Sequence, residues 1–122
     1  CREKELAKTT KSPIKKISGH RTLNYDSNGE EIMSAIHDAP ISVAVDASGF
    51  AFQFYSKGVV STCRNTGLNH GVTVVGYDTL NGKEFFLIKN SWGERWGDHG
   101  YIRLATSGNN CGVNEEPLVV DL

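Results

Sequence analysis

His70 and Asn90 are the residues of this 122-residue chain whose types and positions could do chemistry. His70 opens an apolar run that continues through Tyr77, and Asn90 closes another that begins at Glu84. Neighbouring strands with those ends would bring imidazole and carboxamide within hydrogen-bonding reach. That is the base and the orienter of a nucleophile–base–orienter set. An Asn cannot take a proton, so it can only hold a His and fix its tautomer. This suits a partner that is already acidic, a cysteine thiol; a serine hydroxyl more commonly needs an Asp in the third place. A lone His at a strand end is ordinarily a surface or satisfied core residue. Here Gly71 permits close approach of a ligand or backbone, and Trp92 is placed to cover the His–Asn bond and keep water from it.

The elements that must position this pair are short and mostly extended. Ile41, Val43 and Val45 alternate with Ser42, Ala44 and Asp46 as a half-buried strand. Strands are expected over His70–Tyr77 and Glu84–Asn90, joined by a hairpin at Asn81-Gly82, with further strands at Tyr101–Ala105 and Leu118–Val120. A short strand is also expected near Ile14–Ser18. Ile32, Ala35, Ile36 and Ala39 share one face of an amphipathic helix over 29–39, with Glu30 and Glu31 in its first turn, Ser27 or Asn28 as cap and Pro40 as terminator. His37 falls on the solvent side. Phe50, Phe52, Phe54 and Tyr55 read as core and interdomain packing. The whole reads as an α+β fold, mostly β: a small antiparallel sheet of barrel or open-barrel type with one helix.

The bulk properties are those of one domain or a piece of one. The hydrophobic fraction of 39% can bury a core, and the net charge of −1 argues against nucleic acid or an anionic membrane as partner. No apolar run approaches the ~20 residues of a membrane span. The polar, basic start (Arg2, Lys4, Lys8, Lys11) does not read as a signal peptide, and without an initiator Met the chain reads as processed or excised. The cysteines are Cys1, Cys63 and Cys111, an odd count. An oxidising compartment would give one pair and one orphan; a reducing one, three free thiols. Cys63 and Cys111 both sit in loop-like settings, where a bridge would be worth roughly 4 kcal/mol on the chain-entropy estimate. Zinc-ligand spacings do not occur, and no metal or organic cofactor is implied.

Asn69-His70-Gly71, Val75-Gly76-Tyr77, Lys89-Asn90-Ser91-Trp92-Gly93, Trp96-Gly97 and Gly100-Tyr101 together resemble the papain-like cysteine peptidases, whose site is a Cys-His-Asn set. Pro40–Ala47, Phe50–Tyr55, Cys63 and Asn110-Cys111-Gly112 also fall where that family has counterparts, so the resemblance covers nearly the whole chain. It implies that His70 is general base and acid, that Asn90 orients its ring, that Trp92 shields their bond and that Trp96 packs near the leaving-group side. It further implies that the Asn69 carbonyl accepts a substrate hydrogen bond. Ala44, Leu68 and Gly71 would wall the main specificity pocket, with Glu116 as its floor. Such a pocket would take Leu or Phe and also Arg; read without the resemblance, Glu115 and Glu116 are solvated surface charges.

The family's nucleophile lies in a Cys-Gly-Ser-Cys-Trp-like stretch well before the His, and nothing of that kind occurs here. Residues 1–122 would therefore be the C-terminal (R) domain, and the helical N-terminal (L) half, with its nucleophile, would be the partner. Cys1 would be bridged to that half, or be a free thiol, or act as an N-terminal nucleophile. The implied function is cysteine endopeptidase activity on peptide or protein substrates, when joined to the missing half, in a lysosomal, vacuolar or secretory compartment. Two other readings stay open: a non-catalytic interaction scaffold that has lost its nucleophile, and an inactive isolated fragment with an exposed interdomain face.

Overall fold

A computed structural model of the chain describes residues 18–121. Cys1 and residues 14–17 of the strand expected near Ile14–Ser18 lie outside them. The described chain runs β1 (Gly19–Thr22), α1 (Glu30–Ala35), β2 (Ile41–Val45), α2 (Phe50–Gln53), β3 (His70–Leu80), β4 (Lys83–Lys89), β5 (Tyr101–Ala105), a 3-10 turn (Asn110–Gly112) and β6 (Leu118–Asp121). The strands form one antiparallel sheet in the order β1-β6-β2-β3-β4-β5.

The mostly β, antiparallel expectation holds, but the barrel does not close. β1 and β5 stand at opposite ends of the sheet. The free edge of β5 is taken instead by Val60, which bridges Leu104 in parallel: its amide donates to Arg103 and its carbonyl accepts from Ala105. An edge occupied by a loop residue needs no closure onto β1 to satisfy those backbone groups.

Alternation decides which side chains are buried. Ile41, Val43 and Val45 of β2 are buried, with Val72 and Val74 beside them on β3 and Phe86, Ile88, Ile102 and Leu104 on β4 and β5. Each such side chain contributes roughly 1.5–3 kcal/mol by leaving water. Ile32 of α1 and Phe52 of α2 close the same core. The β3–β4 hairpin turns on Asn81 (φ 52°) and Gly82 (φ 78°), between the pair Leu80–Lys83. Two left-handed residues match the twist of the flanking strands, and this is why Asn-Gly marks such turns.

The helix expected over 29–39 is shorter. α1 ends at Ala35, and single hydrogen bonds carry the chain on through Ile36 and Asp38 as turns. Neither Ser27 nor Asn28 caps it. Gly29, in the left-handed region, stands at the cap, and the Asp26 carboxylate holds the turn before it, accepting from the amides of Asn28 (3.0 Å) and Glu30 (3.1 Å). His37 is exposed as expected, with its Nε2 3.1 Å from the Tyr77 hydroxyl. The aromatic segment divides in two. Phe52 and Tyr55 are core, whereas Phe50 (80% exposed) and Phe54 (72%) stack on each other at the surface.

Candidate functional site

The antiparallel hairpin places the start of β3 beside the end of β4, and the two polar residues meet there. His70 is the first residue of β3, paired with Val45 across the ladder. Asn90 follows the last residue of β4, its amide donating to the Gly100 carbonyl. The His70 Nε2–H donates to Asn90 Oδ1 over 2.7 Å. That oxygen also accepts from the Ser91 amide at 2.8 Å, which fixes which way the carboxamide faces. A carboxamide oxygen only accepts, so Nε2 carries a proton, and in the neutral ring Nδ1 keeps its lone pair. Asn90 is 6% exposed, and its Nδ2 is buried without an acceptor among the described residues.

Aromatic rings enclose the pair. Trp92 lies tilted over the His70 ring at 4.9 Å, and Phe52 meets it edge-on at 6.1 Å. Trp96 packs on Phe52 at 5.1 Å and edge-on to Trp92 at 5.4 Å. Its Nε1–H donates to the Gln53 carbonyl at 3.0 Å, tying the tryptophan loop to α2. A polar strap holds the other side of this loop. Arg103 donates to Asp98 (2.8 Å) and to the Tyr55 hydroxyl (3.2 Å), which itself donates to the Gly58 carbonyl. Donation from Arg103, then from His99, holds the Asp98 carboxyl below the usual carboxylate range.

Beside His70 an open groove of about 480 Å³ is lined by Thr22, Ser42, Val43, Ala44, Gly71, Glu116 and Leu118. Ala44 and Gly71 are cross-strand partners, so the groove begins one residue from the imidazole. Three of the residues expected around a pocket are thus brought together: Ala44, Gly71 and Glu116. Leu68 is set back from them, half-buried against Gly112. The Asn69 side chain faces β2, accepting from the Ala47 amide at 3.0 Å.

Cys63 and Cys111 are joined in a disulfide with Cα atoms 4.8 Å apart. Neither therefore offers a thiol. Among the described residues no group of three or more His, Cys, Asp or Glu side chains could hold a metal, and no helix is long and apolar enough to cross a membrane. What the site can do follows from the imidazole: take a proton at Nδ1 while Asn90 holds Nε2.

Sequence reasoning missed Phe52 beneath the imidazole, Thr22 and Leu118 in the groove, and Asp46. Asp46 is 1% exposed just past the end of β2. Ser48, two residues on, is the usual mark of a side-chain-capped turn. Nothing local signals the contacts it makes with Thr66 and Asn69.

The profile of the papain family cysteine proteases matches residues 1–120. The chain is 43% identical over 110 residues to the thiol protease SEN102 of Hemerocallis sp., covering 86% of this chain and 30% of that protein. It is 52% identical over 91 residues to digestive cysteine proteinase 3 of Homarus americanus, covering 72% and 28%. The structure of the bromelain protease from Ananas comosus in complex with the E64 inhibitor superposes with a TM-score of 0.78 at 41% identity, over 87% of this chain and half (51%) of that one. The chain thus spans less than a third of the length of these two sequence relatives.

Proposed function

Because the chain belongs to the papain family of cysteine proteases, we propose that it is the histidine- and asparagine-bearing half of a cysteine endopeptidase. Its site would be completed by a cysteine from an N-terminal half. The observation that carries this reading is the His70 Nε2–H bond to Asn90 Oδ1, which leaves Nδ1 of the neutral ring to accept a proton, next to a groove that begins at Gly71.

The chemistry follows from that tautomer. Nδ1 takes the proton of the partner's thiol, and the resulting imidazolium stabilises the thiolate beside it. The thiolate attacks the substrate carbonyl carbon. The C–N bond breaks, and the amine leaves with the proton returned by Nδ1. A thioester remains. Water then attacks it while Nδ1 takes the water's proton; the acid departs and the thiol is restored. Asn90 keeps the ring in plane throughout. Trp92 and Phe52 keep water from the Nε2 bond, and Trp96 lines the leaving-group side.

Ala44 and Gly71 would wall the pocket for the substrate side chain two residues before the scissile bond, with Glu116 at its end and Leu68 as backing. The Asn69 carbonyl would accept from the substrate main chain. Glu116 at the end of a groove that also offers Val43, Ala44 and Leu118 favours Arg as well as Leu. Glu116→Ala should lower the preference for Arg over Leu in a peptide library by about 10–100-fold, the value of one charge-assisted hydrogen bond; an unchanged ratio would remove Glu116 from the pocket. The disulfide agrees with a lysosomal, vacuolar or secretory setting.

The test is E64 titration of the complete two-half protein, alongside peptide hydrolysis. One equivalent of E64 should be taken up, and His70→Ala should reduce turnover by at least about 10²–10⁴-fold. A complete protein that takes up no E64 and cleaves no peptide would instead be a scaffold without a nucleophile.

A further inference from the structure

A buried carboxylate not used by the chemistry above sits directly behind the imidazole strand. Asp46 immediately follows Val45, the residue paired with His70. Its Oδ1 accepts from the Ser48 amide (3.0 Å), the Ser48 hydroxyl and the Asn69 carboxamide (3.2 Å). Its Oδ2 accepts from the Thr66 amide (2.7 Å) and hydroxyl (2.8 Å). The backbone amide of Asp46 donates to the Cys111 carbonyl at 2.7 Å. One side chain therefore gathers the end of β2 and the 66–69 turn, while its own amide holds the disulfide turn.

Asn69 is where this cluster reaches the site. Its Nδ2 donates to Asp46, its Oδ1 accepts from the Ala47 amide, and its backbone amide donates to the Val45 carbonyl at 3.0 Å. The residue before His70 is thus held at three points, all on the β2 end that carries Asp46. A neutral amide in place of the carboxylate cannot repeat this. It offers one acceptor oxygen and one NH₂, and the NH₂ would face donors that themselves need acceptors.

We propose that Asp46 is a positioning residue for the His70–Asn90 pair, acting through Asn69 to fix how the chain enters β3 and hence where the imidazole sits. The inference rests on the endopeptidase reading for its consequence in turnover, but the ring's position has a readout of its own.

The experiment compares wild type, Asp46→Asn and Asn69→Ala in the complete peptidase, with its histidines ¹⁵N-labelled. Asn69→Ala removes the side-chain bonds to Asp46 and to the Ala47 amide and leaves Asp46 its Ser48 and Thr66 donors, so it serves where Asp46→Asn fails to fold. Turnover is expressed per E64-titrated site, which removes any unfolded fraction. Both variants should lower kcat about tenfold or more with KM within about twofold, because a small displacement of a base costs rate more than binding. The double variant should lose less than the product of the two single losses, since both break the Asp46–Asn69 link. The His70 Nε2 resonance, set in wild type by the bond to Asn90, should shift in both variants as that bond loosens. Unchanged kcat per site and unchanged ring nitrogens, with only a lower Tm, would reduce Asp46 to a structural carboxylate. Should wild type take up no E64, the endopeptidase reading fails, and the ring nitrogens alone decide this inference: a shift in the variants supports it and no shift overturns it.

Discussion

At the scale of single residues, the site rests on one oxygen that does two things. Asn90 Oδ1 accepts from His70 and from the Ser91 amide, so the carboxamide cannot turn over without putting an NH₂ against an amide proton. Replacing it by Ala should free the ring. Turnover of the complete peptidase is expected to fall by roughly 10²-fold, in line with the cost of misplacing a catalytic group by an ångström. A full-length Asn90→Ala enzyme with wild-type kcat would show that the aromatic enclosure alone orients the imidazole. His70, Asn90 and Trp92 were legible from the strand ends and the glycine-punctuated loop that follows, and Trp96 only through the family resemblance. Phe52 and Asp46 were not. Both lie in a stretch that reads as ordinary core and turn, and what sets them apart is contact with residues some twenty positions away in the chain (Phe52 with His70, Asp46 with Thr66).

Among the elements, strands β1, β2, β3 and β6 line the groove, and Glu116 reaches it from the loop that follows the 3-10 turn. The Cys63–Cys111 bridge spans a separation of 48 residues and fastens the loop before His70 to the 3-10 turn that leads to Glu116. The Cys111 amide donates to the Cys63 carbonyl, and the Cys63 amide to Asn110 Oδ1, so the two turns are hydrogen-bonded as well as linked. Converting both cysteines to Ser should cost roughly 4 kcal/mol on the loop-entropy estimate, read as a lower midpoint in urea unfolding. A shift under a quarter of that would mean that these hydrogen bonds already hold the turns together. Gly112 makes the same turn sensitive: its φ is +74°, and a Cβ there would fall 2.5 Å from Leu68 Cδ2. Gly112→Ala should destabilise by about 1–2 kcal/mol from the left-handed backbone alone, with the clash added; thermal unfolding would measure it. The strands were legible from alternation and the hairpin from Asn-Gly. The ends of α1 were not, because Ala35, Ile36 and Ala39 keep helical spacing whether the last turn is hydrogen-bonded or not.

On the scale of the whole molecule, charge burial sets the acid limit. Donation from the Ser48 hydroxyl, then the Thr66 amide, the Ser48 amide and the Thr66 hydroxyl, holds Asp46 far below the usual carboxylate range, against burial that pushes it up. A depressed folded value stabilises the native state above the unfolded value of ~3.9, and that contribution is lost as pH falls through the folded one. The stability gap between wild type and Asp46→Asn should then be level above about pH 5 and narrow below about pH 4. A gap that widened on acidification would reverse the sign and mean that Asp46 is protonated in the native state. Of the barrel and open-barrel forms expected, the sheet takes the open one: closure depends on what takes an edge, and Val60, far from β5 in the chain, takes that of β5. The β3–β4 hairpin carries a consequence for the order of folding. His70 and Asn90 are 20 positions apart, whereas β1 pairs with β6 across nearly the whole chain, Gly19 opposite Asp121. Loop-closure cost rises with separation, and hairpins form within about 1–10 μs. The base and its orienter should therefore assemble before the distant strand ends meet. During refolding, pulsed hydrogen exchange should protect the hairpin amides of Val72–Lys89 ahead of those of Gly19–Thr22. The opposite order would make the long-range pairing the nucleus. In the expected order, the imidazole is already held by Asn90 while β1 and β6 are still unpaired.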